Sequence, residues 1–208
     1  MFLRKKDVIL FNGDSITDAL RDRSDQYSLA GYSKSISEKL HHAAPEAGIV
    51  CYNRGVGGDT SAQLLSRFEL ELDEIRPTVV SLLIGVNDTW RRFDSNASVP
   101  CRVFEKNLDA ILALAKKYTD RVILLQPFLV DTDPQKRKFR KDLNPKIQAV
   151  NRIARKYGTD FVPLDGLFAE ACCKTSPAEL SYDGVHPTEK GHELIAEEWL
   201  KRAVLKID

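Results

Sequence analysis

Residues 78–84, Thr-Val-Val-Ser-Leu-Leu-Ile, are apolar almost throughout and β-branched at both ends. A half-buried strand alternates polar and apolar side chains. A run without alternation suits a strand covered on both faces, which is the setting of a central strand in a parallel sheet. Parallel neighbours cannot be joined by tight hairpins and need crossover connections, usually helices. The chain has that alternation. Strand-like runs at residues 8–11, 49–52, 78–84, 121–126 and 161–164 are separated by helical patterns. Residues 32–42 place Ile36 and Leu40 one turn apart. Thr60 or Ser61 caps a segment carrying Leu65, Phe68 and Leu72. Residues 104–118 carry a stripe of Phe104, Leu108, Ile111, Leu112 and Ala115. Asn144 and Pro145 read as the cap and first position of a helix that stops at Gly158. A short helix is expected near 167–172 and a last one over 189–205. On that last helix His192, Ile195, Trp199 and Ala203 share a face, so His192 reads as a packed structural residue. The pattern predicts one domain over 1–208: a three-layer α/β/α sandwich around a five-stranded parallel sheet.

Charge excludes several partner classes. The 208 residues carry a net charge of +1 at 29% charged residues, so no strong field draws the molecule to nucleic acid or an anionic membrane. The basic run 136–141 reads as a solvated face within an exposed polar excursion over 131–142. No stretch approaches the roughly 20 apolar residues of a membrane span. Cys51, Cys101, Cys172 and Cys173 form no C-x-x-C pair or zinc spacing. They predict free thiols in a reducing compartment. With no apolar segment after the N-terminal charges, the expected location is the cytoplasm. A homo-oligomer is compatible with everything above.

The polar clusters lie where strands end. Gly13-Asp14-Ser15 follows the first strand, at the carboxyl edge where open α/β sheets bind ligands. By itself Ser15 reads as a helix cap. In the last loop Asp183 stands three residues before His186 with Gly184 between. A carboxylate there can turn back onto the imidazole, fix its tautomer and leave the other nitrogen as a base for Ser15. Gly55-Val56-Gly57-Gly58 follows the second strand, and its glycines allow backbone N–H groups to approach a ligand closely. Asn87, after the third, can donate an amide to a developing oxyanion, as can the N–H of Ser15.

Taken in order, Gly13-Asp14-Ser15, Gly55 to Gly58, Gly85-Val86-Asn87-Asp88 and Asp183-x-x-His186 resemble the four signature blocks of the GDSL (SGNH) hydrolases. The resemblance spans nearly the whole chain. It implies a flavodoxin-like fold and an esterase, lipase or thioesterase that needs no metal or organic cofactor. It implies Ser15 as nucleophile, His186 as base and Asp183 as its orienting carboxylate, with an oxyanion hole of Ser15 N–H, Gly58 N–H and the Asn87 side chain. Ile16-Thr17 replaces the leucine of the family name, and adjacent Gly57 and Gly58 leave open which N–H faces the oxyanion. Residues 84–91 and 126–128 resemble the carbohydrate acetylesterase branch, so the implied substrate is a small-molecule or oligosaccharide acetyl ester. Asp14, Trp90 and Tyr182 are the expected substrate contacts. Asp14 reads as a turn-stabilising residue rather than a reactant. Trp90 reads either as a pocket wall or sugar platform, or as a packed tryptophan. The alternatives are a thioesterase or lysophospholipase of longer acyl preference and a non-catalytic carbohydrate-binding relative.

Overall fold

The computed structural model describes residues 1–206. In chain order its elements are β1 (Phe2–Leu3), β2 (Val8–Gly13), α1 (Ser15–Asp18), α2 (Gly31–Ala43), β3 (Val50–Asn53), α3 (Ser61–Ile75), β4 (Val79–Leu83), α4 (Val86–Asp94), α5 (Cys101–Tyr118), β5 (Val122–Leu125), α6 (Arg140–Tyr157), β6 (Asp160–Val162), α7 (Leu164–Ala171), α8 (Pro177–Leu180), α9 (Glu189–Leu200) and β7 (Val204–Leu205). Short 3₁₀ turns lie at Pro45–Ala47 and Pro134–Phe139.

Five strands form one parallel sheet in the order β3-β2-β4-β5-β6. The fully apolar run is its middle strand, β4, buried at every position. Successive side chains point to opposite faces, so each strand feeds two cores. Ile9, Phe11, Val79 and Leu83 pack with Tyr32, Ile36, Phe168, Ile195 and Trp199 of α2, α7 and α9. Leu10, Val80 and Leu82 pack with Leu64, Phe68, Phe104, Leu108, Ile111 and Val150 of α3, α5 and α6. The three-layer sandwich is thus the expected one. Ser81 breaks the apolar run without breaking the strand, because its hydroxyl accepts the Trp199 indole N–H at 3.0 Å inside the first core.

Four local expectations are corrected. The buried stripe of α3 runs through Leu64, Phe68 and Leu72, with Leu65 only half-buried. Residues 86–94, where no helix is expected, form α4. Helix α6 begins at Arg140, so Pro145 lies inside it. Its missing N–H leaves one i→i−4 bond unmade. The earlier start follows from Phe139, which is buried against Phe93 at 4.4 Å between ring centroids and orders the turn that runs into the helix. The last helix stops at Leu200, and β7 pairs in parallel with β1. The Met1 amine, donating to the Arg202 carbonyl at 2.6 Å, ties the two termini together.

The order places a topological switch point between β2 and β4, since the chain leaves β2 for β3 on one side and returns to β4 on the other. The loops after β2, β3 and β4 converge there. Gly55 makes this convergence sterically possible: a methyl group on it would stand 2.3 Å from the Asp18 N and 2.8 Å from the Thr17 carbonyl carbon. Asn53 locks the contact, donating to the Thr17 carbonyl at 2.6 Å and accepting the Gly55 N–H at 2.9 Å. Gly55→Ala is expected to cost about 1–3 kcal/mol by overpacking. Urea unfolding of the variant checks this, and a midpoint equal to wild type would contradict it.

Candidate active site

Ser15 is the first residue of α1, directly after β2. Asp14 caps that helix, accepting the Ile16 N–H at 3.0 Å. His186 comes from the 181–187 loop, which Ser181 closes by accepting the Gly184 N–H and donating to the His186 carbonyl, both at 2.9 Å. This brings residues 171 positions apart together: Ser15 Oγ lies 3.0 Å from His186 Nε2. On the other side of the ring, His186 Nδ1 lies 3.0 Å from Asp183 Oδ2. Asp183 Oδ1 accepts the N–H groups of Val185 at 2.9 Å and His186 at 2.8 Å. Lys136 Nζ donates to Asp183 Oδ2 at 2.8 Å and to the Asp183 carbonyl at 2.7 Å. Burial alone would raise the Asp183 carboxyl. The bonds from His186, Lys136 and Val185 outweigh it and hold the group well below the usual carboxylate range. A hydroxyl, an imidazole and an ionised carboxylate therefore stand in series, an arrangement able to deprotonate the serine.

Three groups are candidate oxyanion donors: the N–H of Ser15, the N–H of Gly58 and the side-chain amide of Asn87. The Ser15 N–H opens α1, where no intrahelical acceptor exists. The glycine loop passes beside it: a methyl group on Gly57 would sit 3.9 Å from Ser15 Cβ. Gly58 follows at φ +86°, a left-handed conformation that favours glycine. Its carbonyl accepts a bond from Arg91 at 3.3 Å. Asn87, in the first turn of α4, is oriented by donating one amide hydrogen to the Asp59 carbonyl at 3.1 Å. Arg67 of α3 joins these loops. It donates to Asp59 Oδ2 at 2.8 Å, the Arg54 carbonyl at 2.9 Å, Glu71 at 2.6 Å and the Gly13 carbonyl at 3.1 Å.

The structure brings Ser15, His186 and Asp183 into one hydrogen-bonded series and treats the expected substrate contacts differently. Tyr182 is 75% exposed at the rim of an open 1100 Å³ cleft that also meets Ser15, Leu20, Gly57 and His186. Trp90 is half-buried, its ring 5.7 Å from that of His186 and 5.8 Å from that of Phe139. Asp14 is corrected: it is 1% exposed, a buried cap without surface for a substrate. Lys136 and Arg67 were not legible in the sequence. Lys136 sits in a run of basic residues that looks like a solvated face, yet only 14% of its side chain is exposed. Among the described residues no helix is long and apolar enough to cross a membrane, and no cluster of three or more His, Cys, Asp or Glu could hold a metal.

Comparison with known proteins identifies the family and the fold. The model of the GDSL-like lipase/acylhydrolase family matches residues 11–194. An acetylxylan esterase of Geobacillus stearothermophilus is 31% identical over 93% of this chain and 92% of its own. An isoamyl acetate-hydrolyzing esterase of Saccharomyces cerevisiae is 27% identical over 92% and 84%. The crystal structure of an acetylxylan esterase from Geobacillus stearothermophilus superposes with a TM-score of 0.88 at 30% identity, covering 97% of this chain and 96% of that one. Solved catalytic mutants of that esterase carry alanine in place of a serine, a histidine or an aspartate, the last two three positions apart. Asp183 and His186 have the same spacing.

Two buried groups beside the site titrate abnormally. Burial pushes the Asp14 carboxyl up to about 7, against the Ile16 N–H and His186, which favour its charged form. Its Oδ2 has no hydrogen-bond partner. His192 of α9 accepts the Tyr32 N–H at 3.2 Å and is pushed down to about 4, by burial first and by His186 second. An unfolded histidine titrates near 6.5, so between about 4 and 6.5 the unfolded chain binds the extra proton. The stabilisation due to His192 is therefore complete above 6.5 and lost as pH falls through this window, by about 3 kcal/mol in all. The unfolding free energy of wild type minus that of His192→Gln should fall by about that amount from pH 7 to pH 4. A pH-independent difference would contradict the assignment.

Proposed function

Because this chain belongs to the GDSL-like lipase/acylhydrolase family and is an esterase close to the acetylxylan esterases, we propose that it removes short acyl groups, acetyl foremost, from carbohydrate esters through Ser15, His186 and Asp183. The observation that carries the reading is the unbroken series from Ser15 Oγ to His186 to Asp183, each link 3.0 Å. The carbohydrate and acetyl parts rest on the relatives: one is an acetylxylan esterase and another hydrolyses isoamyl acetate.

In the proposed mechanism Ser15 Oγ attacks the ester carbonyl as its proton passes to His186 Nε2. The carbonyl oxygen becomes an oxyanion held by the N–H groups of Ser15 and Gly58 and the amide of Asn87. The Asn87 amide stays aimed because one of its hydrogens is engaged by the Asp59 carbonyl. His186 then gives its proton to the leaving alcohol oxygen as the carbon–oxygen bond breaks. Water, deprotonated by the same nitrogen, releases the carboxylic acid and restores Ser15. Asp183 stays ionised throughout and stabilises the imidazolium from the Nδ1 side. The cleft along α2 and α9 takes the alcohol portion, with Tyr182 at its rim. The free cysteines suit a reducing compartment, and we place the protein in the cytoplasm.

A panel of acetylated sugars and p-nitrophenyl acetate, octanoate and palmitate tests the reading. Acetyl esters should turn over fastest, Ser15→Ala should be inactive, and a fluorophosphonate should label wild type at Ser15 alone. Turnover by Ser15→Ala, or a preference for palmitate, would overturn it. Asn87→Ala should lower kcat by about a hundred- to thousandfold. An unchanged kcat would remove Asn87 from the oxyanion hole.

A further inference from the structure

Lys136 lies in the Pro134–Phe139 turn, 47 residues before Asp183, and does not line the cleft. Its ammonium makes two bonds to one residue, the Asp183 carboxylate at 2.8 Å and the Asp183 carbonyl at 2.7 Å. It also sits over the Trp90 ring at 4.3 Å from the centroid, within cation–π range. Trp90 in turn packs on His186 and on Phe139 of the same turn. The division of the carboxylate is specific. Oδ1 is taken by two backbone N–H groups of its own loop, and Oδ2 is shared between His186 Nδ1 and Lys136.

We propose that Lys136 is a positioning residue for the hydrolysis: it clamps the oxygen through which Asp183 holds His186, and its charge there sets the acid limit of activity. The inference rests on the reading of Ser15, His186 and Asp183 as the working series. The other titratable groups that interact with His186 are Asp14 at the start of α1 and His192 of α9, and Glu189 and the Asp18–Arg23 pair line the same cleft. Arg23 is already neutralised by Asp18 at 2.6 Å. Lys136 is thus the cation bound to the same oxygen as the imidazole. A positive charge at that distance acts against the positive charge that the ring takes up when it accepts a proton.

Lys136→Met keeps the apolar stem over Trp90 and removes the charge. The acid limb of its kcat/KM–pH profile for p-nitrophenyl acetate should move to higher pH by about one unit. KM above the limb should stay within about twofold, because the side chain lies outside the cleft. Lys136→Arg, which can reach the same two oxygens, should keep the wild-type limb. Lys136→Gln carries the same expectation as Met should the Met variant fail to fold. An unmoved limb in the uncharged variants, or an equal shift in the Arg variant, overturns the inference. Ser15→Ala and Asp183→Asn are measured alongside. If both lose turnover and the Met limb is unmoved, the Lys136 role falls and the series stands; if Ser15→Ala turns over, the series and the role fall together.

Discussion

The guanidinium of Arg67 is the contact on which the geometry of the site depends. It draws together the Gly13 carbonyl at the end of β2, the Arg54 carbonyl after β3 and the Asp59 carboxylate at the far end of the glycine loop. The Asp59 carbonyl receives the Asn87 amide from α4. One planar, permanently charged fork thus ties the loops after β2 and β3 to each other and, through Asp59, to α4, and these carry the three proposed oxyanion donors. A cation this enclosed is costly unless every hydrogen bond is met. Here Asp59 and Glu71 supply the opposite charge, and Glu71 is itself held by Asn12 at 2.7 Å. The raised Glu71 carboxyl, a consequence of burial, indicates how far this network has been removed from water.

The opposite side of the site is built by different means. Instead of a guanidinium hub, the 181–187 loop uses its own backbone and Ser181 to fold Asp183 under His186. What the loop cannot supply, a partner for Oδ2 other than the imidazole, arrives from the 134–139 turn as Lys136. Trp90 lies against both the ammonium and the imidazole. Asp88, wholly buried in the first turn of α4, accepts the Ser61 N–H at 2.8 Å and its hydroxyl at 2.5 Å, anchoring α4 to the start of α3. The proposed donors and acceptors are therefore placed by a polar layer that is largely satisfied before a substrate arrives, the condition for stabilising charge in a transition state without reorganisation.

Much of the fold was legible in local pattern. Burial on both faces writes unbroken apolar runs, and five of these alternating with helical stripes leave little choice of architecture. The errors have one origin. Pro145 reads as a helix start because proline suits that position, but packing of Phe139 on Phe93 and Trp90 sets the start five residues earlier. No helix is expected over Val86–Asp94, which is largely polar and follows glycine, but Val86 and Asp88 are buried and the segment is helical. Asp14 is expected both in the turn and at the substrate, and only the first agrees with the structure, where it is a buried helix cap.

For the site, the sequence by itself determined the chemistry available: a hydroxyl, an imidazole three residues from a carboxylate, glycines and an amide, each at a strand end or in the last loop. That much is local, because strand ends and tight turns are encoded by neighbouring residues. Tertiary structure alone decided which cation completes the series, which carboxylate is sealed from solvent and how the donors are spaced. Those outcomes depend on Lys136, Gly13 and Arg67 meeting partners tens of positions away. Long side chains that bridge loops follow the path of the whole backbone, and no periodicity in the chain records where their ends will fall.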